Sequence, residues 1–188
     1  MKRRWSLVVA VWLACTGAAI AQDKLGEFIP ADPPQPAPEM SLTDRDGKTL
    51  ALADLKGKLV LINLWATWCQ PCLKEMPSLA ELPKTLGDGF VLLAVSEDRG
   101  GDKVVAPFVD KHGLDTLKIY LDPDSKLGHA FKARGLPTSI VIDPKGNQAG
   151  RVEGAADWAS ETMLDPLKKL LPAYPGKSLP DTVKASSE

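Results

Sequence analysis

The stretch ATWCQPCLKEMP, residues 66–77, holds two of the three cysteines in this 188-residue chain, Cys69 and Cys72. A pair at that spacing can close a structural staple, supply half of a metal site, or trade electrons with other proteins. As a staple it is poorly placed. A four-residue ring takes only about 2 kcal/mol of entropy from the unfolded chain, against roughly 3 kcal/mol for fifteen residues. Structural zinc usually takes four Cys or His ligands. No second cysteine pair exists, and the two histidines, His112 and His129, are far off in sequence. A copper site from Cys69, Cys72 and one histidine stays open, and with it the function of a copper-binding chaperone.

The redox reading accounts for the surroundings of the pair, which is predicted to follow a buried strand and to open a helix. Unpaired N–H groups and the helix dipole at such an N-terminus favour negative charge. The thiolate is the attacking species, and in such motifs its pKa falls from about 8.5 towards 7 or lower. Cys69 stands at the exposed helix start and is the expected nucleophile. Cys72, one turn further on the same face, is the expected resolving thiol.

The elements that must hold this pair can be read from the apolar pattern. KLVLINLWA (58–66) is a nearly continuous apolar run, as expected of a strand buried on both faces. The following helix is predicted to run to about Leu86, kinked at Pro77 and ended by Gly87 and Gly89. FVLLAVS (90–96) is a second buried strand, and 102–113 a helix with Val105, Phe108 and Val109 at helical spacing. A strand at 117–122, a short helix at 125–133, a hairpin from 138–143 to 149–154 and a helix at 157–171 complete the pattern. Asp157 is the expected cap of that last helix, and Glu161 lies in its first turns. Ahead of the core, 40–58 reads as two short strands around a turn at Asp46-Gly47, then a helical turn. This alternation predicts an α/β fold: a mostly parallel sheet flanked by helices, with an antiparallel closing hairpin.

The N-terminus has another character. Lys2, Arg3 and Arg4 precede an uncharged run from Trp5 to Ala21, with small residues at Ala19 and Ala21. Residues 1–21 therefore read as a signal peptide cut before Gln22 or as an uncleaved membrane anchor, short against the roughly 20 residues of a spanning helix. Cys15 as a lipid attachment site fits poorly, because Trp12 lies three residues upstream. Each reading carries the rest of the chain across a membrane. Residues 22–39 include IPADPPQPAP, expected to form an extended spacer that resists helix and sheet. Residues 40–171 form the domain, and 172–188, rich in Pro, Ser and Lys, a disordered tail. The formal charge of −1 and a charged share of 25% suit a globular protein and show none of the basic surplus of a nucleic-acid binder.

NLWATWCQPCLKEMP, RGLPTSIVIDPKG and GAADWASE together carry a resemblance. Over about 40–171 the chain resembles the thioredoxin-like fold and, within it, the exported TlpA/ResA-type thiol-disulfide oxidoreductases. GAADWASE is most similar to the TlpA branch. The resemblance implies an N-terminal β-hairpin and a central αβ insertion in the fold. It makes Cys69 and Cys72 a redox-active disulfide, flanked by Trp68. Gln70 and Pro71 between them tune the potential, and Pro77 is the kink proline. Pro137 matches the cis-proline beside the disulfide, and the backbone at Leu136 pairs with the substrate chain. Asn63 stands where cytosolic thioredoxins carry a buried aspartate, and as a buried amide it needs hydrogen-bond partners. Glu75 takes the place of the proton-handling carboxylate: three residues beyond Cys72, partly desolvated, with a raised pKa, it can exchange a proton with that thiol.

The implied activity is a protein-disulfide reductase in the periplasm, a monomer without cofactor or metal, recharged by a transmembrane electron donor. The implied partners are disulfide-bearing exported proteins, a copper chaperone or the copper subunit of cytochrome oxidase. Reduction of apocytochrome c is the enzyme alternative. Other conspicuous residues take ordinary roles: Trp65 as core, Trp158 as packing under the last helix, His112 and His129 as surface residues. SEDRGGDK (96–103) is a loop that borders the substrate groove and not a phosphate cradle.

Overall fold

The computed structural model describes residues 26–171. The leader read at 1–21, the first residues of the spacer and the tail at 172–188 lie outside the described residues. The chain forms β1 (Phe28–Pro36), β2 (Ser41–Asp44), β3 (Thr49–Ala51), β4 (Leu59–Trp65), α1 (Gln70–Leu86), β5 (Phe90–Ser96), α2 (Asp102–His112), β6 (Ile119–Leu121), α3 (Lys126–Ala130), β7 (Thr138–Ile142), β8 (Asn147–Glu153) and α4 (Glu161–Leu170).

One sheet carries all eight strands, in the order β1-β8-β7-β4-β5-β6-β2-β3. Its parallel character is confined to β4, β5 and β6. The flanking pairs are antiparallel, so the sheet is mixed where the sequence suggested a mostly parallel one. The reason lies in the connections. Only the α1 and α2 crossovers build parallel neighbours. β7 returns from α3 in the reverse direction beside β4, hairpins add β3 and β8, and β1 and β2 pair with distant strands in reverse.

The central strands bury both faces, and successive side chains divide between two cores. Leu59, Leu61 and Trp65 of β4 join Phe90 and Leu92 of β5 beneath Met76, Leu79 and Leu82 of α1 and Val105 and Val109 of α2. Val60, Ile62 and Leu64 turn the other way, towards Val91, Leu93, Tyr120 and Leu127. Asn63 has the parity of the α1 side, which places its amide under that helix. α1 starts immediately after Cys69, continues through Pro77 and Pro83, and ends at Gly87, whose φ of 70° suits a residue without a Cβ.

Two segments take a different secondary structure from the one their sequence suggests. Residues 28–36 of the proline-rich segment are a strand, paired with β8 from Phe28↔Val152 to Pro36↔Asn147, with a register shift between Pro30 and Gln35. An edge strand has one neighbour, so prolines there cost few ladder bonds. The last helix begins at Glu161, four residues later than expected, with Ser160 at the position before it making no side-chain cap bond. Asp157 shapes the turn before it: its carboxylate accepts from Ala159 N at 3.1 Å, and its carbonyl accepts from Ser160 Oγ at 2.6 Å. Trp158 is drawn beneath α1, which holds this stretch out of the helix.

Candidate redox-active site

The site lies at the C-terminal end of β4. Cys69 and Cys72 are joined as a disulfide with their Cα atoms 5.3 Å apart. Cys69 is the residue before α1. Contrary to the expected exposed start, it is only 4% exposed in the disulfide, covered within the core cluster. Its sulfur accepts the N–H of Cys72 at 3.3 Å. Gln70 and Pro71 form the exposed first turn between them. Trp68 projects next to the pair with 69% of its surface exposed.

The turn that presents the pair is tied down from below. Cys69 N donates to Ala66 O at 3.0 Å. Thr67 donates its N–H to Asp98 Oδ2 at 2.8 Å and its hydroxyl to Asp98 Oδ1 at 2.7 Å. Ser96 Oγ adds a bond to Oδ2 at 2.8 Å. Asp98 is thus a buried carboxylate with every contact a donor. By sequence alone Asp98 is an ordinary residue of the loop at 96–103. The available signal was its position two residues past a buried strand that pairs with the strand leading to the cysteines.

Glu75 is 2% exposed. Its Oε1 accepts from Asn63 Nδ2 at 2.8 Å, and its Oε2 from Ala156 N at 3.0 Å and Trp158 Nε1 at 3.1 Å. Asn63 spends its second amide hydrogen on Ser139 Oγ at 2.9 Å. Burial pushes the Glu75 carboxyl above its usual value, and the donors from Ala156, Asn63 and Trp158 oppose that rise without cancelling it. Trp158, read as packing alone, is therefore also a hydrogen-bond partner of this carboxylate. Nothing in local sequence marks the link.

The Leu136–Pro137 peptide is cis. Pro137 O accepts from Gly154 N at 2.9 Å, which joins the start of β7 to the end of β8. Two cavities flank the ridge at Arg134–Leu136. One, of about 750 Å³, reaches from Trp68 to Arg99, Val104 and His129. The other, of about 480 Å³, lies between Pro71, Pro137 and Ala155. Trp68 and Leu136 line the first cavity, and Pro71, Leu136 and Pro137 the second; Trp68 and Pro71 are the sequence neighbours of Cys69 and Cys72. The 97–100 loop walls the larger cavity. His112 is elsewhere, stacked on Phe108 with ring centres 4.2 Å apart. Among the described residues no three His, Cys, Asp or Glu side chains converge as a metal site.

A dithiol at a helix start, with a buried carboxyl one turn further on, can cycle between disulfide and dithiol and hold a proton nearby. Comparison with known proteins agrees with that chemistry. The family model described as AhpC/TSA family matches residues 33–148. The thiol-disulfide oxidoreductase ResA of Bacillus thuringiensis (strain Al Hakam) is 38% identical over 137 residues, covering 72% of this chain and 77% of that one. ResA of Bacillus subtilis (strain 168) is 35% identical over 137 residues, covering 72% and 73%. The crystal structure of the pneumococcal exposed lipoprotein thioredoxin from Streptococcus pneumoniae strain TIGR4 matches with a TM-score of 0.61 and 31% identity, over 71% of this chain and 100% of that one.

Proposed function

We propose that this chain, which belongs to the AhpC/TSA family and is a thiol-disulfide oxidoreductase of the thioredoxin-like class, works as an exported reductase of disulfides in partner proteins. The observation that carries the reading is the placement of Cys69 at the start of α1, its sulfur receiving the N–H of Cys72. That donor and the helix dipole stabilise a thiolate at Cys69 once the disulfide is reduced.

In the proposed cycle the Cys69 thiolate attacks one sulfur of the partner's disulfide, and the other partner sulfur leaves as a thiolate. Cys72 gives its proton towards Glu75 and attacks the Cys69 sulfur. The mixed disulfide breaks, and the partner departs with both cysteines reduced. This chain is left as the Cys69–Cys72 disulfide, the state seen in the structure. Two electrons have passed to the partner, and a membrane dithiol protein must return two. Trp68 and the Leu136–Pro137 backbone would hold the partner's chain across the disulfide. Gln70-Pro71, without a histidine between the cysteines, supports reduction over oxidation. By family likeness the partners are proteins of copper-centre assembly in cytochrome oxidase.

Trapping tests mechanism and partner together. Cys72→Ser expressed in its native cell should accumulate mixed disulfides on Cys69, and mass spectrometry should identify copper-centre proteins among them. Capture of apocytochrome c alone would move the reading to that substrate. No adduct, with a Cys69 thiol that alkylates only well above neutral pH, would overturn the reductase.

A further inference from the structure

β1 runs antiparallel to β8, β8 to β7, and β7 to β4. Three reversals bring the start of β1 to the end of the sheet where β4 finishes and delivers Cys69. The register shows the same thing residue by residue. Asn63 lies opposite Ser139, Ser139 opposite Val152, and Val152 opposite Phe28. Three strand spacings of about 4.8 Å put Phe28 only about 14 Å from Asn63 along that row.

The chain is fastened just before Phe28. Gly26 N donates to Glu153 O at 2.7 Å. At Gly26, with φ +74°, a Cβ would stand 2.6 Å from Ala155 O. The same 153–156 segment gives Gly154 N to Pro137 O at 2.9 Å and Ala156 N to Glu75 at 3.0 Å. The polypeptide therefore enters the domain beside the groove. Only residues 22–25 separate Gly26 from the uncharged run that ends at Ala21. Four residues span at most about 14 Å. The proline-rich segment that could have served as a spacer is used up as β1.

We infer that the chain keeps its uncharged N-terminal run in the membrane and that the disulfide end of the domain faces the bilayer. This rests on the exported reading above and adds an orientation to it. A second observation points the same way. Trp68 and Val104, the large apolar side chains exposed among the described residues, both line the cavity at that end, beside the exposed Arg99. Arg134, also there, is paired with Glu153. Tryptophan suits the boundary between headgroups and acyl chains, and cations suit anionic headgroups. The partner that fits is an integral membrane protein whose dithiol or disulfide lies at the bilayer surface.

The test uses the full chain in membrane vesicles and labels one thiol at a time with a small maleimide or one carrying a large polymer. Cys15→Ser with Cys72→Ser leaves Cys69. Cys15→Ser, Cys69→Ser and Cys72→Ser with Lys145→Cys place the thiol on the exposed β7–β8 turn at the opposite end. Because thiol reactivity depends on access, the large-to-small labelling ratio at position 69 should fall about tenfold in vesicles relative to detergent. The ratio at position 145 should not change. A Gly-Ser insertion of about 20 residues after Lys24 should restore position 69. Equal ratios at position 69 in vesicles and detergent, protection at position 145 instead, or a mature chain released with Gln22 at its start would each overturn the orientation. Turnover of hydroxyethyl disulfide by the unaltered chain in detergent reads the reductase separately. Its loss would sink the proposed function and not the orientation.

Discussion

Trp158 donates its indole N–H to Glu75 at 3.1 Å across 83 residues of sequence. With Asn63 and Ala156 it completes a set of donors around a buried carboxyl whose pKa burial still holds above its ordinary value of 4.5. A carboxyl that titrates higher in the folded than in the unfolded chain adds stability below the unfolded value. That stability is lost as pH rises through the folded value. Glu75→Gln removes the titration. In urea unfolding, the stability of the unaltered protein relative to the variant should shrink as pH rises from about 4.5, by about 1.4 kcal/mol for each unit between the two pKa values. A difference that does not vary with pH would contradict this.

Asp98 holds Thr67 by both backbone and hydroxyl. Asp98→Ala leaves those donors and Ser96 Oγ without their acceptor, a loss expected to reach about 3 kcal/mol. Amide hydrogen exchange at Thr67 should speed up together with the fall in stability. Unchanged exchange at Thr67 would show that Asp98 does not set the turn that presents Cys69.

How much of this site could be read from sequence depends on the range of each interaction. β5 was expected at 90–96 and lies there, because burial on both faces leaves an unbroken apolar run. The surroundings of Asn63 were legible only as a need, since a buried amide must find partners. Glu75 and Ser139 meet that need from 12 and 76 residues away. β1 was missed because proline reads locally as hostile to sheet, and its tolerance depends on lying at an edge that exists only once β8 is placed. The late start of α4 has the same origin. Asp157 has the chemistry of a cap, but Trp158 is committed to Glu75.

Gly150 of β8 lies opposite Pro30 of β1. A Cβ there would stand 2.4 Å from the ring of Phe28 and 2.9 Å from Ile29 O, a backbone atom that cannot retreat while β1 stays paired. Gly150→Ala should lower stability by about 1–3 kcal/mol. Limited proteolysis should then cut first within 26–36. Resistance equal to that of the unaltered protein would argue against tight docking of this strand.

The Tyr120 hydroxyl is buried without a hydrogen-bond partner among the described residues. Burial first, and the charge of Asp44 second, push its pKa up to about 12 from 10.0. Tyr120→Phe removes an unsatisfied group, so stability at neutral pH should hold or rise. The sign at alkaline pH is fixed by linkage. The tyrosine's contribution is complete below pH 10 and lost as pH climbs through about 12. Chemical unfolding between those values should show a decline in the unaltered protein that the Phe variant lacks. Parallel declines would refute the assignment.

The prolines of β1 have an effect beyond the domain itself. Pro30, Pro33, Pro34 and Pro36 have no N–H to offer along the outer border of the sheet, and the opposite border is β3, three residues long. Both rims are thereby made poor templates for the growth of a foreign strand. The domain is therefore poorly suited to edge-to-edge association through its own sheet.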